Sequence, residues 1–465
     1  MATTVQQYSH TFGYEYGACP RPFYQLPPIS NVSHKGYEFG RFCIPIQSEF
    51  HDGNITCCLS CPSSDWLFPD GFEKTATNLA WISLPLVTTH VFLIISFIFL
   101  PVQYTKRHYL NVGAVLSSML LDLGFLFPLS VNPDICYDEI TPNDMTSDVT
   151  CAISGAMVIF GGWAIILWGL ARSFLLHVQV CWGRDLEPKI TTMTVIIAWF
   201  VPGIGLIGAM VASGVSYRMG RTCLLNPKDD SSLWAPLLAV SCVALVLQMA
   251  TMVYSSYIYL RSSKQDGYVR NRSTLPSNST EVPPSSGHQL LERMKRLFSL
   301  QWRGIVNGIS TVTNVLFYAI VFWSLDHAQR AQKADPHKMW DWISCIIDTQ
   351  GDKNACISKA AKYMPPEDEL FVVLGFLIGA GTCCILFLFR LSMIQGWYHV
   401  ITGKVQRYPE SVLLDGRRKH AQRQGYQETG GSLGGITVST STYVGHSDIE
   451  EPPLVYKEFM KGHRI

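Results

Sequence analysis

The chain has 465 residues, of which 48% are hydrophobic and only 15% charged, and 36 Lys and Arg nearly balance 35 Asp and Glu to leave a net charge of +1. A soluble domain carries about 25% charged residues, so the deficit points to lipid. The balance excludes a nucleic-acid partner, which would demand a strongly basic face.

The first 79 residues are polar and rich in cysteine, with Cys19, Cys43, Cys57, Cys58 and Cys61. The stretch CCLSCPSSDW at 57–66 fits a zinc knuckle, a redox dithiol and an oxidised clasp equally well, and only the compartment decides among them. The start, MATTVQQYSH, lacks the basic region and apolar core of a cleaved signal. The first apolar segment is therefore expected to act as its own signal-anchor.

Seven apolar segments follow, each about long enough to cross a ~30 Å hydrocarbon layer. They run 80–100, 109–130, 151–171, 190–213, 233–260, 304–325 and 370–389. Continuous rather than alternating hydrophobicity excludes a barrel, so the expectation is an all-α integral membrane protein: a bundle of seven transmembrane helices over 80–400. A disulfide-stapled N-terminal segment precedes it and a polar tail, 401–465, follows. Pro85, Pro128, Pro202 and Pro236 read as kink sites. Asp122 is the one acid within a span and reads as an intramembrane polar hub. His90, alone on the first span, reads as a packing histidine.

Basic residues orient the bundle. Lys106 and Arg107 mark the first loop, Arg172, Arg184 and Lys189 the third, and eight Lys and Arg the fifth, whereas 131–150 has none and carries five Asp and Glu. The N-terminus is thus expected outside and the C-terminus in the cytoplasm. Outside, thiols oxidise, so the clasp reading holds for 57–66. Sequons at Asn31 and Asn54 would be glycosylated, and those at Asn271 and Asn278 would not. Ten cysteines face outward and can pair fully. Cys151 with Cys223 would tie the third span to the loop above it, and Cys345 with Cys356 would close a local ring. Cys136 and the five of the tail leave fifteen pairings open. The segment MWDWISCII (339–347) presents Trp340, Ile343 and Ile347 on one helical face, fit either to lie on the membrane or to cover the bundle mouth.

On the cytoplasmic side, 262–290 is rich in Ser, Pro, Asn and Gly. The stretch that follows sets Leu290, Leu291, Met294 and Leu297 at helical spacing opposite Arg293, Lys295 and Arg296, which extends the sixth span inward.

Seven spans, a cysteine-rich sequon-bearing tail, a bridge from the third span to the next outer loop and a long basic fifth connection together resemble a G-protein-coupled receptor. More closely, CCLSCPSSDW, DEITPNDM (138–145), CAISGAMVIFGGW (151–163) and SLQWRGI (299–305) resemble a fungal group of orphan receptors loosely related to the secretin and Frizzled classes, from Cys57 to Val400. Arg172 lacks an acidic-Arg-Tyr triplet and the seventh span lacks Asn-Pro-x-x-Tyr, which separates the chain from the rhodopsin class. The resemblance implies a plasma-membrane receptor with an unknown extracellular ligand and a heterotrimeric G protein as partners, with no cofactor or metal. Depth in the bundle places Trp234, Asn314 and Tyr318 in the outer half as ligand contacts, and Arg172, Lys295 and Arg296 on the G-protein side. Arg303 and Trp397 stand near the inner surface, where the resemblance implies an activation lock.

Other membrane functions fit less well. A retinal pump needs a lysine within 370–389, which has none. A zinc hydrolase needs several intramembrane His and Asp residues. A transporter or channel, the alternative, is expected to show internal repeats and a path of buried ionisable groups.

Overall fold

The computed structural model describes residues 16–26, 35–47, 54–105, 109–183, 188–226, 230–272, 339–362, 364 and most of 366–403, with scattered positions between 306 and 320. The tail folds as a small antiparallel sheet, β1 (Tyr24–Gln25), β2 (Cys43–Gln47) and β3 (Asn54–Cys58), with β3 in the middle. Neighbouring side chains on a strand point to opposite faces, so adjacent cysteines must seek different partners. Cys58, directly opposite Cys43 on β2, bonds to it, while Cys57 bonds to Cys19. Cys61 bonds to Cys136 beyond the second span, so the CxxC pair is not joined to itself.

Two short helices, α1 (Ser64–Leu67) and α2 (Phe72–Ala80), lead into α3 (Ser83–Phe99), and α4 (Val102–Thr105) closes that arm. The long elements are α5 (Tyr109–Val131), α6 (Val149–Cys181), α7 (Pro188–Ala212) and α8 (Asp230–Arg272). Five stretches among the described residues are long and apolar enough to cross a membrane: Phe72–Phe99, Tyr109–Val131, Val149–Cys181, Pro188–Ala212 and Ala235–Ile258. The first begins eight residues before the sequence boundary and the third ends ten residues after it. Charge marks where lipid stops, but a helix continues into water while its backbone bonds and one packed face hold.

Small residues bring α5 and α6 together. A side chain at Gly161 would stand 2.6 Å from the Leu121 backbone nitrogen, and one at Gly124 2.6 Å from the Val158 side chain. Gly113 similarly meets Trp168, so the three contacts run antiparallel down the pair. This is the close approach that membrane helices use where lipid supplies no hydrophobic drive. By contrast, α7 leaves Ile196, Ile197, Phe200, Ile204 and Ile207 exposed, the surface expected of a helix facing lipid.

The five disulfides among the described residues lie at one end of the bundle. There β4 (Val215–Met219) and β5 (Thr222–Leu225) form a hairpin bonded through Cys223 to Cys151 on the first turn of α6. Asp148 caps that helix by accepting from Thr150 N at 2.9 Å, and its other oxygen accepts from Tyr217 Oη at 2.5 Å. Burial first, and the Asp148 carboxylate second, push the Tyr217 phenol well up. Val215, Tyr217 and Cys223 share a core with Trp163, Ala209 and Leu237, which seats the hairpin on three spans.

Residues 339–360 add a partner that the sequence reading of 339–347 lacked. Helices α9 (Trp340–Asp348) and α10 (Lys353–Ala360) are bridged by Cys345 and Cys356. They complete the core of the tail. Trp342, Ile343 and Ile346 pack with Phe23, Ile44 and Leu59, and Trp342 meets Phe42 edge-on at 5.5 Å. Trp340, assigned to the apolar face from sequence, is 46% exposed. The lobe is also tied by charge: Lys353 Nζ lies 2.5 Å from Asp70 Oδ1, and Asn354 Nδ2 donates to Asp70 Oδ2 at 3.0 Å. These two bonds hold the Asp70 carboxyl below the usual carboxylate range. Nearby in the lobe, burial and the adjoining Tyr16 hydroxyl push the Tyr24 phenol up to about 12. From the lobe the chain enters α11 (Glu367–Gly379), where Phe371 stacks on Phe72 at 5.2 Å. Described by itself, α12 (Leu391–Ile401) is an amphipathic helix that carries Trp397.

Candidate functional site

Three buried polar side chains, His90, Ser118 and Asp122, meet where α3, α5 and the segment after α11 come together. On α5, Ser118 and Asp122 lie four residues apart and so share a face. On α3, His90 points at them. His90 Nδ1 lies 3.2 Å from Asp122 Oδ2, and both side chains are wholly buried. The two atoms are close enough to attract but are not aligned as a hydrogen bond. Among the described residues, no group hydrogen-bonds to either imidazole nitrogen, either Asp122 oxygen or Ser118 Oγ. A buried polar atom left unmet costs about 1–3 kcal/mol, so this junction is held at the expense of stability.

The seventh segment supplies the third wall. Helix α11 ends at Gly379, and Ala380 and Gly381 form a turn where the sequence predicted unbroken helix. Gly381 is buried against the pair. A side chain there would stand 2.9 Å from Ser118 Cβ, 3.3 Å from His90 Cε1 and 3.4 Å from Asp122 Oδ2. The break in the helix and the polar pair therefore occupy one place. A displacement of that segment would change the surroundings of both side chains at once.

Asp122 was legible from sequence as the one intramembrane acid, whereas His90, read as a packing residue, is its partner. The signal available was that both are ionisable groups at membrane depth on neighbouring spans. Arg172, assigned to the cytoplasmic partner, donates through Nη2 to Asn111 Oδ1 at 3.2 Å and so spans from α6 to α5. Asn31, Asn314, Tyr318, Arg303, Lys295 and Arg296 lie outside the described residues. Trp234 falls within α8 and Asn54 within β3, but their side chains too are outside what the structure describes.

No family model matches the chain. The G protein-coupled receptor gprM of Aspergillus fumigatus is 36% identical to it over 423 residues, which are 88% of this chain and 82% of the relative. The chain belongs to the fungal G protein-coupled receptors. The long apolar helices are accordingly the spans of a multi-pass membrane protein, and the junction of His90, Asp122 and Gly381 lies inside the receptor's bundle.

Proposed function

We propose that the protein is a cell-surface receptor of seven spans, loosely related to the secretin and Frizzled classes, that couples an extracellular ligand to a heterotrimeric G protein. The observation that carries the orientation is the confinement of all five disulfides to one end. Cytosolic thiols are kept reduced, so that end belongs outside, with residues 1–79 before the first span and 401–465 in the cytoplasm. Coupling is supported by membership in the family. The ligand acts on the lobe and the outer half of the bundle, with Trp234, Asn314 and Tyr318 as contacts. Asp122 and His90 form the hub that repacks on activation. Arg303 and Trp397 form a lock at the inner surface, and Arg172, Lys295 and Arg296 stand on the G-protein side.

The test is recruitment of a panel of Gα subunits to the intact receptor in the plasma membrane, against a ligand library. Ligand-dependent recruitment is the expected outcome. Solute movement without recruitment of any Gα subunit would instead support the transporter alternative.

A further inference from the structure

At the end of α6 remote from the disulfides, two pairs of polar side chains face one another across its contact with α8. Ser173 and His177 are one turn apart on α6, and Gln248 and Thr251 one turn apart on α8. Ser173 Oγ donates to Gln248 Oε1 at 3.4 Å, with both side chains buried. His177 Nδ1 lies 3.0 Å from Thr251 Oγ1. The Thr251 hydroxyl has one proton and gives it to the Leu247 carbonyl at 2.7 Å. While it donates to that carbonyl, the hydroxyl accepts from the imidazole. The other side of the ring stands edge-on to Trp182, 6.0 Å between centroids.

Packing alone does not call for these groups, since apolar side chains associate as well in lipid and leave nothing to satisfy. What the polar pairs add is a contact that can part at small cost. Thr251 already bonds its own helix and keeps that bond when His177 leaves. His177 lies one turn from the end of α6 at Cys181. Arg172, the residue before Ser173, holds the same turn of α6 to Asn111 of α5.

We propose that Ser173–Gln248 and His177–Thr251 form a latch that holds the inner halves of the third and fifth spans together in the resting receptor and parts when the G protein seats. The latch rests on the orientation given under Proposed function. It differs from the hub of His90 and Asp122, which lies on other spans.

The test uses full-length receptor in intact cells, with ligand-independent recruitment of Gα subunits measured at matched surface expression. An interhelical polar contact in a membrane shifts such an equilibrium about three-fold, with an upper bound of about twenty-fold. Thr251→Val and Gln248→Leu should each raise recruitment by that order. Thr251→Ser, which keeps the hydroxyl, should leave it at the wild-type level, whereas a merely structural role for the residue would not separate the two variants. Ser173→Cys with Gln248→Cys, oxidised, should abolish recruitment until the bond is reduced, and this pair carries the test if Thr251→Val fails to reach the surface. Wild-type recruitment in Thr251→Val and Gln248→Leu, or undiminished recruitment in the cross-linked pair, overturns the latch. A protease-sensitive tag at the C-terminus separates the two readings. A tag cut in intact cells overturns the orientation, and a protected tag with unchanged recruitment overturns the latch alone.

Discussion

His90 of α3 and Asp122 of α5 face each other at 3.2 Å with no water-exposed surface on either side chain. Two ionisable groups buried this close together, away from water, are expected to be coupled. Asp122→Leu alone should strand the imidazole and lower the thermal midpoint of the detergent-solubilised receptor, at a cost of about 1–3 kcal/mol. Adding His90→Phe should recover part of the loss, with a coupling above about 0.5 kcal/mol in the double-mutant cycle. Strict additivity would show that the two groups do not interact.

Adjacent glycines on α6 should behave in opposite ways. Gly161 abuts the Leu121 backbone, whereas nothing lies within 4 Å of where a Gly162 side chain would begin. Gly161→Val should destabilise by about 1–3 kcal/mol through overpacking. Gly162→Ala should stabilise by about 0.5–1 kcal/mol, since alanine loses less freedom in a helix. Thermal unfolding of the two variants side by side measures the contrast.

The bridge between Cys151 and Cys223 pins the hairpin to the first turn of α6. Cys223→Ala should cost about 2–5 kcal/mol, the range for native disulfides of small secreted domains, and lower surface expression. Flow cytometry on unpermeabilised cells against total receptor gives the ratio.

Acid should loosen the tie between Asp70 and the α10 segment. A carboxyl whose pKa is depressed in the folded state contributes stability that is full above its unfolded pKa and lost as the pH falls through the folded one. The lowered Asp70 carboxyl is therefore charged and bonded at neutral pH and releases Lys353 only beneath the usual carboxylate range. Hydrogen exchange of 349–356 should rise in that acid window, and Asp70→Asn should show the raised exchange at neutral pH already.

Glycan mapping addresses orientation directly. Asn31 and Asn54 should carry glycans, and Asn271 and Asn278 should not. A glycan on Asn278 would place the fifth connection outside and invert the receptor.

How much of this was open to reading from the sequence differs by level. The first five spans were legible because lipid imposes composition: Ala80 to Leu100 or Ile190 to Ser213 admit no charge, whatever packs against them. Their ends were not, since α6 continues past Arg172 to Cys181 on the strength of contacts with α5 and α8. The tail cysteines were legible as staples but not as pairs, because Cys57 and Cys58 are told apart only by the strand that sends them to opposite faces. Residues 339–347 were legible as an amphipathic helix with its face misplaced. The partner that buries Trp342 and Ile346 is the tail, remote in sequence, and no local period reports it. The break at Ala380 and Gly381 was hidden for a similar reason, since an apolar run reads as helix whether or not a polar pair on other spans needs room beside it.

The shared core of the lobe constrains how receptors of this kind can exchange parts. Residues 19–59 and residues 339–364 share one hydrophobic interior, although five membrane-length helical stretches among the described residues lie between them in sequence. A chimera that takes only the N-terminal segment of a relative would set a foreign Phe23, Ile44 and Leu59 surface against the resident Trp342 and Ile346. The two stretches must be transplanted together, and over evolutionary time they should have drifted as one unit. An antibody raised against the folded lobe would for the same reason hold both the cysteine-rich segment and the strap leading into α11.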